Sequence, residues 1–107
     1  MKEPHDLVGR KVSAVSFAHE GIEFHFDGLV LRSRGNPQVA IGEATYFFPK
    51  PGSRDALCLL LGAIVESLNV DEPRHLEFTT SNGCRVRLPL RAGGVLLFRA
   101  DGVLQVG

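Results

Sequence analysis

His25 stands between Glu23 and Asp27 in the run IEFHFDGLVLR, residues 22–32. On a β-strand, residues two apart share one side, so these three would lie together. A histidine flanked by carboxylates can hold a metal or pass a proton. His5, His19 and His75, however, fall in a terminus or near turns with no partner at ligand spacing, so no metal centre is expected. Cys58 and Cys84 are too few for a disulfide framework and lack metal spacing. Cys58 lies in a leucine-rich stretch, and Cys84 alternates with Val86 and Leu88, so both read as small core residues. A reactive thiol needs exposure and a nearby cation, and Arg85 and Arg87 point away from the Cys84 face.

Nucleophile elbows, phosphate-cradling glycine loops and zinc-protease helices are absent from the sequence. Glu23, Asp27, Asp71, Glu72 and Glu77 occupy outward strand positions or turns, and no two of them converge in an apolar cleft. An enzyme is therefore disfavoured, and no cofactor is expected. The one catalytic alternative is His25 with its neighbouring carboxylates. Arg32, Arg34, Arg85, Arg87 and Arg91 alternate along outward faces and could form two basic stripes, with Glu23 and Glu77 neutralising part of the charge. The cluster TYFF at 45–48 would turn Tyr46 and Phe48 one way and Phe47 the other. An exposed aromatic beside PKPG could anchor a partner, unless a helix and the sheet enclose that strand.

The totals narrow the choice further. A chain of 107 residues, 44% hydrophobic and 22% charged, suits one domain spanning 1–107. Twelve basic and twelve acidic residues cancel, which removes any general attraction for polyanions. The N-terminal MKEPHDLVGRKV has charge and proline where a signal peptide needs an apolar stretch. The longest apolar run, ALCLLLGAIV at 56–65, falls well short of the roughly twenty residues that cross a bilayer. A cytoplasmic protein with reduced thiols and no membrane partner is the expectation.

The elements that position these residues come in two similar sets. Residues 7–33 and 60–88 align with Leu7, Gly9, Val12, Val15, Phe17, Glu23, Phe24, Gly28 and Leu31 opposite Leu60, Gly62, Val65, Leu68, Val70, Glu77, Phe78, Gly83 and Val86. Such self-similarity predicts two like β-units around a shared core. A two-residue Asp27-Gly28 turn places Phe26 opposite Leu29, Phe24 opposite Leu31 and Glu23 opposite Arg32. A three-residue Ser81-Asn82-Gly83 loop sets Phe78 against Val86, Leu76 against Leu88 and Glu77 against Arg87. Bulges near Ser13-Ala14 and Glu66-Ser67 would bring Val12, Val15 and Phe17, and their counterparts, to one face. In the last hairpin, a loop at Ala100-Asp101-Gly102 predicts Phe98 opposite Leu104 and Leu96 opposite Val106.

Between the two units, Val39–Ile41 and Ala44–Phe48 read as short strands joined at Gly42-Glu43. Ser53 reads as the N-cap of a short helix near 54–61, with Leu57, Leu60 and Leu61 on its apolar face and Gly62 as its stop. HDLVG before the first unit reads as an abortive counterpart of this helix. The expected class is α+β, mostly antiparallel strand, with the helix laid across one curved sheet.

The paired LxGxxV…F…DG…L units resemble an uncharacterised family of small bacterial proteins with the same duplicated pattern, and the resemblance covers most of the chain. It is a signature of turns and alternating hydrophobics and brings no catalytic residues. In size and style the chain is also similar to immunity proteins that neutralise a cognate toxin. The resemblance implies a non-enzymatic module whose partner is another protein, such as a toxin domain. Its expected interface combines Glu23, His25, Arg32, Arg34, Tyr46, Glu77, Arg85 and Arg87 on an outward face. A nucleic-acid accessory protein using the arginine stripes is the alternative. Monomer and homodimer are both open.

Overall fold

Alternating side chains and tight turns produce antiparallel ribbons along nearly the whole chain. The computed structural model describes residues 4–19, 21–91, 94–100 and 102–106. In chain order the strands are β1 (Ala14–Ala18), β2 (Gly21–Phe26), β3 (Leu29–Ser33), β4 (Gln38–Ile41) and β5 (Ala44–Phe47). The helix α1 (Ser53–Cys58) follows, then β6 (Val65–Asp71), β7 (His75–Thr80), β8 (Cys84–Pro89), β9 (Val95–Arg99) and β10 (Gly102–Val106). A short 3-10 turn at Pro4–Leu7 precedes β1.

The first two hairpins adopt the registers their turns dictate. Phe26 pairs with Leu29, Phe24 with Leu31 and Glu23 with Arg32. Phe78 pairs with Val86, Leu76 with Leu88 and Glu77 with Arg87. Asp27 carries a positive φ of 40°, the backbone state that an Asp-Gly hairpin turn demands. The bulge in β6 is present, with the register shifting between Val65 and Ser67. At the start of β1, Ser13 N–H donates to His25 O while Ala14 stands opposite the same residue.

The strands form two five-stranded sheets with parallel designs. One runs β1-β2-β3-β9-β10, and the other runs β6-β7-β8-β4-β5. Each is a three-stranded meander extended by a hairpin taken from the other part of the chain. The two sheets meet edge to edge where residues 9–12 run antiparallel to residues 62–65. Gly9 N–H donates to Val65 O, and Gly62 N–H donates to Val12 O, both at 2.8 Å. Val12 N–H reaches Ala63 O at 2.8 Å, and Val65 N–H reaches Arg10 O at 2.9 Å. Lys11 and Ile64 lie opposite one another at the centre. Leu7 and Leu60, both fully buried, accept from Arg10 N–H and Ala63 N–H at 3.0 Å.

The inward faces share one core. Phe78 of one sheet meets Phe24 and Phe26 of the other, edge to face, with ring centroids 5.8 and 6.0 Å apart. Gly21 is the tightest point behind this core. Its φ is +142°, and a Cβ there would overlap Ser33 O. Only glycine fits.

Several expectations need correction. The architecture is nearly all β: two facing sheets, not one curved sheet under a helix, and α1 packs mainly beside β4 and β5. Fewer than two turns of helix cannot cover a five-stranded face. The helix spans Ser53–Cys58 instead of 54–61 and is capped at Gly52, while the Ser53 hydroxyl donates back to Lys50 O at 2.6 Å. Cys58 is exposed because it stands on the side of the helix away from buried Ala56 and Leu57, and Leu61 is exposed beyond the helix end. Phe17 is also exposed, at the open end of β1.

The last hairpin is shifted by one residue. Phe98 pairs with Val103, Leu97 with Leu104 and Leu96 with Gln105, so Val95 and Leu97 face the core instead of Leu96 and Phe98. Three consecutive apolar residues, Val95 to Leu97, left the inward set ambiguous, and pairing with β3 decided it. Asp101 of the expected loop lies outside the described residues.

Phe78→Ala should cost about 3–5 kcal/mol, since it empties a ring-sized volume and removes two edge-to-face contacts. Phe47→Ala, on the surface, should stay within about 0.5 kcal/mol of the parent. Urea unfolding of the two variants measures both.

Candidate functional site

The alternation that buries Phe24 and Phe78 sends their strand neighbours outward. On the outer face of the first sheet, Arg32 grips Glu23: its Nη2 and Nε lie 2.6 and 2.9 Å from Oε2. The same guanidinium lies over the Phe98 ring, 4.7 Å from its centroid. His25 Nε2 is 3.3 Å from Glu23 Oε1 and 3.5 Å from Ser16 Oγ. A serine, a histidine and a carboxylate are thus adjacent, but both partners address the same ring nitrogen. A relay needs the base on one nitrogen and the orienting acid on the other. This geometry does not supply that.

The second sheet carries a related cluster. Glu77 faces Arg87 Nη2 at 3.1 Å, Arg85 Nε at 3.2 Å and His75 Nε2 at 3.8 Å. The two clusters sit on the outer faces of different sheets with the core between them. The single combined surface expected from the sequence does not form: Glu23, His25 and Arg32 are on one side, and Glu77, Arg85 and Arg87 on the other. Matching positions of the two meanders fall on the outer faces of two facing sheets, which puts the clusters back to back. Arg34 is exposed just beyond β3 and makes no ion pair among the described residues.

Tyr46 is elsewhere again. With Phe48 it packs against the core, while Phe47 on the other side of the strand is 52% exposed. Tyr46, Ile41, Gly52, Asp55, Ala56 and Leu59 line an open cavity of about 300 Å³ between β4–β5 and α1. Gly52 starts the helix beside the Tyr46 ring in a left-handed conformation, φ +87°, that residues with side chains rarely adopt. Beside it Arg54 lies over the rings of Phe48 and Phe17, at 5.0 and 5.6 Å, and those rings stack at 5.8 Å. Leu59, at the cavity wall, is 56% exposed, and Phe47 is exposed on the opposite face of β5.

Arg54, Asp55 and Leu59 were not singled out from the sequence. The TYFF cluster was a usable signal, but nothing in the chain announces that Phe17 from a distant strand joins it.

A second cavity, about 440 Å³, is lined by Arg10, Asp27, Gly28, Leu29, Arg99 and Ala100. Here Arg10 donates from Nε to Asp6 O and from Nη1 to Asp27 O, tying the N-terminal turn to the first hairpin. His25 lines neither cavity. Among the described residues no group of three histidine, cysteine or carboxylate side chains is arranged to hold a metal ion. No helix among them is long and apolar enough to cross a membrane.

The charge clusters differ in grip. A double-mutant cycle on Glu23 and Arg32 should give a coupling of about 1 kcal/mol, exceeding that for the longer, more exposed Glu77–Arg87 pair. Both should shrink on adding 0.5 M salt, as screening shortens the range of the attraction. No protein-family model, curated protein or solved structure matches the chain.

Proposed function

We propose that the chain is a non-enzymatic protein-binding module, and that it binds through the corner formed by β5 and α1. The observation that carries this reading is the set of anchor-type side chains carried by β5, α1 and the residue that follows α1, on both faces of the strand. Phe47 and Leu59 are exposed, Tyr46 borders a cavity, and Arg54 is held over two aromatic rings. Aromatic and arginine side chains of this kind dominate binding energies at protein interfaces. As the last strand of its sheet, β5 also leaves one edge without a partner strand.

The outward carboxylate–arginine faces support binding less well. Arg32, Arg85 and Arg87 already face Glu23 and Glu77, so a partner would have to compete with those contacts. The same pairing weakens the case for nucleic acid, whose phosphates need uncompensated cations. Neutralisation of a cognate toxin is the most concrete form of the proposal, resting on size and style.

The two meanders we read as copies of one unit. Support comes from the matched hydrogen bonds about Lys11 and Ile64 and from the identical order of strands in the two sheets.

The test is to mix the purified chain with the product of an adjacent toxin-encoding gene and measure mass by light scattering after gel filtration. A one-to-one complex is expected, weakened about tenfold or more by Phe47→Ser with Leu59→Ser and unchanged by Glu23→Gln. Absence of a complex, or one indifferent to the double substitution, overturns the assignment.

A further inference from the structure

The cavity at this corner has an uneven chemistry. Its walls are apolar: Ile41, Ala56, Leu59 and the ring of Tyr46. Its one ionised group is Asp55, and among the described residues that carboxylate makes no ion pair. Arg54, next to it in sequence, is turned over the Phe17 and Phe48 rings. Lys50 is exposed and unpaired with it. Glu43, in the turn that follows Ile41, is a second exposed carboxylate with no ion pair among the described residues. The Tyr46 hydroxyl likewise has no hydrogen-bond partner among them.

An apolar slot with an uncompensated carboxylate at its margin suits one kind of occupant: a flexible hydrocarbon stem that ends in a cation. The stem gains by leaving water, and the head remains at the rim, where a charge-assisted hydrogen bond to a carboxylate is worth more than a neutral one. A volume of about 300 Å³ lies at the lower limit for small-molecule sites and matches a single long side chain. We propose that this cavity receives a lysine or arginine side chain presented by the partner protein, with Asp55 as its counter-ion. The inference rests on the protein-binding reading above and names the chemistry of the partner.

The probe is n-hexylammonium, titrated into the full chain and followed by backbone amide NMR shifts, with n-hexanol and hexanoate as matched comparators. Saturable shifts are expected at residues 41, 46 and 52–59. Hexylammonium should bind at least about fivefold more tightly than hexanol, and hexanoate more weakly than either. Asp55→Asn should abolish the preference for the amine, and Asp55→Glu should largely keep it. Equal binding of amine and alcohol, a preference for hexanoate, or no saturable shift with the amine overturns the proposal. With the partner in hand, a complex that Phe47→Ser/Leu59→Ser weakens and Asp55→Asn leaves intact would retain the interface while removing the basic side chain from it.

Discussion

The Phe78 ring, set edge-on between Phe24 and Phe26, is the contact on which the remaining structure depends. It fixes the inward face of β2 and β7, and strict alternation then fixes the direction of every neighbour. Once Phe24 and Phe26 are inside, Glu23 and His25 must be outside. The same holds for Glu77 beside Phe78. A slip of one residue in either hairpin would drive a carboxylate or an arginine into the core, a cost several times larger than any surface pair could recover. The ion pairs are therefore consequences of the register and add only modestly to it.

This division explains what could be read in the chain beforehand. The registers of β2 with β3 and of β7 with β8 follow from local facts: the Asp27-Gly28 turn, the extra residue before Gly83 and the demand that apolar residues meet. The bulge near Glu66-Ser67 followed from a three-then-two spacing. What could not be read was non-local. That β3 would take β9 as its neighbour, and β8 take β4, depends on how two meanders meet, which no window of ten residues records. The error at Leu96 and Phe98 has the same origin. With Val95, Leu96 and Leu97 all apolar, only the neighbouring strand decides which set is buried. In the candidate site, Tyr46 and the opposed direction of Phe47 were legible from alternation. Arg54 and Phe17 were not, because their meeting joins one edge of each sheet.

The distribution of charge bears on function in the same way. Neutrality overall could conceal basic stripes, but pairing across adjacent strands places a carboxylate within reach of Arg32, Arg85 and Arg87. Cross-strand neutralisation keeps the broad faces hydrated and poorly suited to capture a partner by charge alone. Exposed apolar side chains occur at several places, Val8, Leu61, Ile64 and Val103 among them, but at the margin by β5 they stand beside a free backbone edge and a cavity.

That margin is also where the two halves differ most. On the reading that the units are copies, the first begins with the 3-10 turn at Pro4–Leu7, whereas the second begins with α1. The hairpin β4–β5 carries Tyr46 and Phe47, while its counterpart β9–β10 has no aromatic in its second strand and meets the 3-10 turn through Arg99 and Asp6 at 3.8 Å. The core and the central hydrogen bonds draw on both halves. The helix and its hairpin give Val39, Ala56 and Leu57 to the same core, but their outward side chains meet no such demand and can change without disturbing the register. A cavity walled by Leu59 and Tyr46 with Asp55 at its rim is an addition that this scaffold carries at little cost, which is the physical reason to look for its partner there.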